Sequence, residues 1–463
     1  MKLEHILIPM AITFCIPLVA SCSSDPDQDQ QDTGSTTETT TQQDANLQDQ
    51  AGDETNTAAD PDVAQPDQAA PDTAEPAFVC RNEIPKRIVV DNPDETFDLG
   101  PYLMVPTPTS IIIKWRTYEE TDGAVLYGLG DETDIEVPAE GTGIMHEVKL
   151  EGLTPETRYA YRVKSGGITS DIHHFYTAPP EGGSFQFAAW GDNQGGEPFP
   201  DVVAAIIKDQ PHVLLGLGDH VSNGQIDELW KEHWLGPARA LLHEVPVFAA
   251  FGNHGKNGPL YYELMAYESI SLSERWESMY SFTYGNTFFM VIDTNGLFFP
   301  IGEVDNEWSL WIKDQVASEA AKKATWRIAY AHEPGVVPDS QIIPCEVSGY
   351  TQNKGVGVFL LPLLEEHNFH AYFSGHVHFY ERVWYNKLLT IISGGGGGGL
   401  DKCVKIGDSS VLSLQHHFLR GSVGCDTLKI EAVDLEGNVF DWVEIAAGAP
   451  GQVISQGEPK PDP

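Results

Sequence analysis

Positive charge is scarce in this chain. Its 463 residues carry 27 Lys and Arg against 68 Asp and Glu, a formal net charge of −41. A field of that sign repels nucleic-acid polymers and anionic membrane surfaces within a screening length of roughly 8 Å at physiological salt. A small anionic substrate is not excluded, because bound cations reverse the potential locally. The apolar stretch Ile6 to Ala20 falls short of the ~20 residues that a spanning helix needs. Cysteines number six, none in the close C-x-x-C spacing of a structural zinc site. Gly-x-Ser-x-Gly is missing, and so is a glycine-rich loop ending in Gly-Lys-Ser/Thr. The chemistry therefore does not run through a serine on a nucleophile elbow or a nucleotide phosphate loop.

What is present begins with Lys2, the short apolar run, and Val19-Ala20-Ser21-Cys22, which resembles the bacterial lipoprotein cleavage box. Residues 1–21 are expected to be a signal peptide and Cys22 to carry a lipid. The protein would then be exported and held to a bacterial membrane only through that anchor. Residues 22–77 hold 14 acidic residues, no Lys or Arg, and almost no large apolar side chain. Such a segment cannot bury enough apolar surface to offset its conformational entropy, and reads as a disordered tether. Cys80, Cys345, Cys403 and Cys425 remain, an even number in an oxidising compartment. One or two disulfides are expected, with the pairing open.

Residues 78–180 read as short strands separated by turn residues. The runs are Ser110 to Thr117, Ala124 to Tyr127, His146 to Leu150, Tyr159 to Ser165 and His174 to Thr177. About seven strands in some 100 residues predict an all-β sandwich, and Leu153-Thr154-Pro155-Glu156-Thr157-Arg158-Tyr159 onward resembles a fibronectin type III-like module. Over 181–448 strands alternate with helical patterns such as Asp201 to Asp209, which predicts an α/β domain. Residues 449–463 read as a C-terminal tail.

Five of these later strands run into polar clusters of one kind: Gly191-Asp192-Asn193-Gln194, Gly218-Asp219-His220, Gly252-Asn253-His254, His332-Glu333-Pro334, and Gly375-His376-Val377-His378. Ligands bind beyond the carboxyl ends of strands in α/β sheets, so clusters remote in sequence can converge there. A Gly-Asp or Gly-Asn pair is by itself an ordinary turn, and a single His before Glu-Pro an ordinary loop residue. The set of five is much more specific. In Gly375-His376-Val377-His378 an extended strand end would aim both imidazoles the same way. Carboxylate and imidazole donors suit Zn, Fe or Mn, and seven or eight of them suit two ions rather than one.

These motifs, in this order, resemble the calcineurin-like metallophosphoesterases. The sandwich in front, Tyr280 to Gly285 before a strand ending Ile292-Asp293-Thr294, the extension of GHVH through Phe379-Tyr380-Glu381-Arg382 and the run Gly394 to Gly399 resemble the purple acid phosphatase branch. The resemblance implies two packed mixed β-sheets flanked by helices, with a two-metal site at the sheet edge. It assigns Asp192 and His378 to the first metal, Asn253, His332 and His376 to the second, and Asp219 to both. His254 would face the substrate as the catalytic acid. Two departures concern the first metal. Ser222 stands where the branch has a metal-bound Tyr, and Gln194 where the wider superfamily has a His; either the Gln194 amide oxygen or water would fill the place. Losing an anionic ligand favours a divalent pair. Asp293 and His220 read as structural residues, and the glycine run as a loop near the site mouth. The expected activity is hydrolysis of small phosphate esters by a two-metal-activated hydroxide, most of all monoesters. A phosphodiesterase on the same centre, or a surface-binding lipoprotein with a degenerate site, is the alternative. The oligomeric state is left open.

Overall fold

A computed structural model describes residues 80–267, 278–295, 307–335, 355–401 and 411–457. The segments expected to be signal peptide and tether, with Cys22, and also Cys345 and Cys403, lie outside the described residues. Among the described residues, three sheets carry the fold. The largest runs in the order Val453–Gln456, Val439–Ala446, Thr427–Asp434, His417–Val423, Phe185–Trp190, Val213–Gly216, Val247–Ala249, Leu99–Met104, Ser110–Thr121 and Gly143–Glu151. Phe185–Trp190, Val213–Gly216 and Val247–Ala249 are parallel neighbours at its centre. The second sheet has seven strands, of which Thr287–Ile292, Trp326–Ala331, Ala371–Ser374 and Leu388–Ser393 are parallel. The two sheets pack face to face through Phe187, Phe289, Phe373 and Leu419. Helix Phe199–Asp209 covers the outer face of the first sheet with Val202 and Ile206. Glu307–Val316 and Leu361–Glu366 cover the second with Ile312, Leu361 and Leu364. This is the layered arrangement of two helix-flanked mixed sheets that the sequence predicts.

The third sheet holds Ile135–Pro138, Gly123–Leu129, Arg158–Ser165, Ile168–Thr169 and His173–Tyr176. It faces Ser110–Thr121 and Gly143–Glu151 across a core of Ile111, Ile113, Trp115, Val163 and Phe175. The consecutive Ile111-Ile112-Ile113 is explained by what lies on each side. Ile111 and Ile113 fill the sandwich, while Ile112 joins the main core. Each such burial contributes roughly 1.5–3 kcal/mol. The division near residue 180 is therefore not a break in the structure. Strand Leu99–Met104 continues the largest sheet, pairing Met104 with Val247. Tyr102 Oη donates to Leu264 O at 2.7 Å and Tyr161 Oη to His243 O at 2.8 Å, across the same joint.

One expectation needs correcting. Residues 449–463 are not wholly a tail, because Val453–Gln456 adds an edge strand to the large sheet against Val439–Ala446. A turn at Pro450-Gly451, with Gly451 at φ 81°, sends the chain back along its neighbour. Cys80 pairs with Cys425, closing the first described residue onto the turn that follows His417–Val423.

Candidate metal centre

The five polar clusters meet where the central strands of both large sheets end. Phe185–Trp190, Val213–Gly216 and Val247–Ala249 deliver Asp192, Asp219 and Asn253 from one sheet. Trp326–Ala331 and Ala371–Ser374 deliver His332, His376 and His378 from the other. The turns there are tight. Asp192, Asp219 and His376 all have left-handed backbones, at φ 63°, 50° and 69°. Glycine is needed at these turns for close approach: a Cβ on Gly375, before His376, would run into Asp192 Oδ2, and one on Gly252, before Asn253, into Asp219 Oδ1. The GHVH segment is accordingly bent, not extended. The turn at His376 brings its N–H within 2.8 Å of Asp192 Oδ2, and both imidazoles still enter the site.

Each carboxylate has one oxygen anchored and one aimed inward. Asp219 Oδ1 accepts from His254 N at 2.8 Å, leaving Oδ2 3.1 Å from His332 Nε2. Asp192 Oδ2 is taken by His376 N, and its buried Oδ1 has no hydrogen-bond partner. His378 Nε2 lies 3.5 Å from that orphaned oxygen. The imidazole tautomers are set by backbone carbonyls, which can only accept. His332 Nδ1–H donates to Leu217 O at 3.0 Å, and His378 Nδ1–H to Gly399 O at 2.7 Å. Both Nε2 lone pairs are thereby turned into the site. His332 Nε2 then lies 2.9 Å from Asn253 Oδ1 and 3.3 Å from His376 Nδ1, with Asn253 Oδ1 also 2.9 Å from His376 Nδ1.

Acceptors crowded this closely repel one another unless positive charge stands between them. One group is Asp192 Oδ1, Asp219 Oδ2 and His378 Nε2; the other is Asp219 Oδ2, Asn253 Oδ1, His332 Nε2 and His376 Nδ1. Asp192, Asp219 and His332 each offer a ligand atom within 4.8 Å of the others. The donor set fits a pair of cations sharing Asp219. Ionisation among the protein groups alone carries the same message. Burial opposes a charge on His332, but Asp219 and Asp192 outweigh it and raise its pKa to about 10. His378 also rises against burial, to about 9, through Asp192. His376 is pushed down to about 3 by burial and the neighbouring His332 charge. Asp192 is raised by burial, whereas His332 and His254 hold Asp219 down despite its burial. Protons occupy the places that cations would take.

His254 lies on the open side. Its Nδ1–H donates to Ser222 O at 2.8 Å, and Nε2 stays 3.8 Å from Asp219 Oδ2. His220 is a packing residue as expected, stacked on Trp234 at 4.1 Å between ring centres. Asp293 is structural too, accepting from Asn295 N and Nδ2 at 2.9 and 3.0 Å. Tyr380 points away from the site, its hydroxyl 2.6 Å from Asp441 Oδ2. The glycine run Gly394 to Gly399 does more than line a mouth. Gly398 N donates to Asp192 O at 2.7 Å, and Gly399 O orients His378. Asp401 Oδ2, accepting from His378 N at 2.8 Å, was missing from the sequence reading. So were the carbonyls of Leu217, Gly399 and Ser222, which no side chain advertises.

Known proteins share parts of this sequence and this fold. Residues 167–380 match the calcineurin-like phosphoesterase family, and residues 100–177 match the purple acid phosphatase N-terminal domain. Purple acid phosphatase 15 of Arabidopsis thaliana is 24% identical over 275 residues, 52% of this chain and 50% of that protein. Purple acid phosphatase 23 of the same plant is 24% identical over 303 residues, 56% of this chain and 64% of that protein. This chain thus spans about half to two thirds of the curated relatives it matches. Among solved structures, the purple acid phosphatase PPD1 from yellow lupin (Lupinus luteus) seeds shares the fold at a TM-score of 0.62 and 18% identity, covering 75% of this chain and 74% of that one. PhoD does so at 0.57 and 13% identity, covering 79% and 93%.

Proposed function

We propose, for a chain that joins a purple acid phosphatase N-terminal domain to a calcineurin-like phosphoesterase domain, that it hydrolyses phosphate esters at a two-metal centre and prefers monoesters. The observation that carries this reading is the pair of acceptor groups sharing Asp219 Oδ2. Asp192 and His378 are assigned to one ion, Asn253, His332 and His376 to the other, and Asp219 to both. When bound, two such ions supply charge neutralisation for the phosphoryl group and activation of a water nucleophile. The chain's own residues do the rest. Leu217 O and Gly399 O fix the tautomers of His332 and His378, so the ligand lone pairs are set before substrate arrives. His254, anchored through Nδ1 to Ser222 O, presents Nε2 on the open side. In its protonated form it donates to the leaving oxygen, a contribution of typically ~10²–10⁴-fold.

The enzyme is also proposed to act outside the cytoplasm, on a lipid tether from Cys22, where it releases phosphate from small esters. Support comes from the Val19-Ala20-Ser21-Cys22 box and the acidic segment after it. The test of activity is hydrolysis of p-nitrophenyl phosphate against bis(p-nitrophenyl) phosphate after chelation and reloading with Zn or Mn. Monoester turnover restored by metal is expected. No turnover of either ester with any metal loaded would refute the activity, and faster diester turnover would refute the preference.

A further inference from the structure

Gln194 has a place in the site that the six assigned ligands do not account for. It follows Asn193, whose side chain is buried and fully committed. Asn193 Nδ2 donates to His220 O at 2.7 Å and His233 O at 2.8 Å, while Oδ1 faces Trp190 Nε1 at 3.2 Å and His220 Nδ1 at 3.1 Å. Gln194 N is tied to Asp219 O at 3.2 Å, and its backbone is left-handed at φ 44°. A rigid platform thus aims the Gln194 side chain inward. There its Nε2 lies 3.2 Å from Asp219 Oδ2 and 3.3 Å from His378 Nε2. Those two atoms belong to the first acceptor group, beside the orphaned Asp192 Oδ1. The amide N–H2, carrying partial positive charge, sits where a cation held by these three residues would be drawn.

From this geometry we infer that Gln194 completes the first cation site by turning its amide over, and that the neutral ligand makes this site select a divalent ion over a trivalent one. A cation repels the N–H2 group that stands in for it. A half-turn about the last side-chain torsion exchanges the amide's two nearly isosteric ends and puts Oε1, an acceptor, in the same place. Ser222 is poorly placed to compete, since its main chain is committed on both sides. Its N–H donates to His233 Nδ1 at 3.2 Å, and its carbonyl holds His254. The first ion then sees one carboxylate of its own, one shared carboxylate, a neutral imidazole and a neutral amide. A hard trivalent ion gains more from anionic oxygen than a divalent ion does, so the neutral amide favours the divalent one.

The inference rests on the two-metal reading, and the experiment separates the two. The metal-stripped full chain is titrated with Co(II), following the d–d absorption and the number of ions bound. Wild type is expected to bind two. Gln194→Ala is expected to keep the ion held by Asn253, His332 and His376 at its original affinity. The other ion should weaken on the order of 100-fold, at the upper end of what a lost supporting group does. Gln194→Glu, which has the same shape, should restore the ion at the first site and retain there ferric iron that wild type releases to a chelator. Two ions bound by Gln194→Ala with wild-type affinity would overturn the inference. Equal weakening of both ions would also overturn it, since Gln194 would then act only by positioning Asp219. A wild type that binds no ion would overturn the metal reading itself.

Discussion

Adding Zn or Mn to the metal-stripped protein at pH 7 should eject about two protons, one from each half of the site. The reasoning starts from the two imidazoles whose lone pairs face the cluster. With carboxylates as their only counter-charge, His332 has a pKa near 10 and His378 near 9, so both are protonated at pH 7. His376, held near 3, contributes no proton. Displacing the His332 proton three pH units below its pKa opposes binding by about 4 kcal/mol, and the His378 proton by about 3 kcal/mol. Apparent affinity at each half should therefore rise about tenfold per pH unit until the imidazole's own pKa is passed. Stability follows with a definite sign. A histidine whose pKa is raised on folding stabilises the fold fully below its unfolded value near 6.5, and loses that contribution as pH climbs to the folded value. The stripped protein should thus lose stability between about pH 6.5 and 10, while the loaded protein does not. Calorimetric titration in buffers of different ionisation enthalpy counts the protons, and melting curves across that range give the second readout. Release of fewer than one proton at pH 7, or parallel melting curves with and without metal, would refute the assignment of these imidazoles as ligands.

Asp219→Ala removes the oxygen that both acceptor groups share and should leave at most one tightly held ion per chain by elemental analysis. His254→Ala should keep both ions yet lose roughly 10²–10⁴-fold in turnover on alkyl phosphates. The loss on p-nitrophenyl phosphate should be smaller, and equal losses would remove His254 from the acid role. The protein purified from iron-rich medium should be colourless, because Ser222 replaces the tyrosine ligand and Tyr380 is bonded to Asp441; a visible spectrum decides this. A chain starting at Phe78 should fold and keep full activity, whereas Cys80→Ser within it should lower the melting temperature, reflecting a loss of about 2–5 kcal/mol.

Much of the site was legible because its side chains sit at the ends of apolar strands, and Asp192, Asp219, Asn253 and His376 each follow a glycine there. Asp192, Asp219, Asn253, His332, His376 and His378 all lie just past the ends of such strands. The bend at His376 was not legible. Its cause is a contact with Asp192, 184 residues earlier, which only the folded chain creates. The same holds for the sheet shared by Leu99–Met104 and Val247–Ala249, since a single-pair junction leaves no periodicity of its own. Val453–Gln456 escaped notice for another reason. Four residues near Pro450 and Gly451, three of them exposed, carry too little apolar character to announce a strand, and the neighbouring strand's open edge supplies what they lack.

The disulfide fixes more than the ends of the chain. Cys425 follows Val423, which pairs with Phe185, the first residue of the strand whose far end leads to Asp192. Six residues of strand put roughly 20 Å between that clasp and the carboxylate. Whatever pulls on the segment before Cys80 therefore pulls on the end of the sheet opposite the ligands. Tension applied just before Cys80 would pass into the His417–Val423 and Thr427–Asp434 hairpin through a covalent bond, sparing the loops that carry Asp192 and His378.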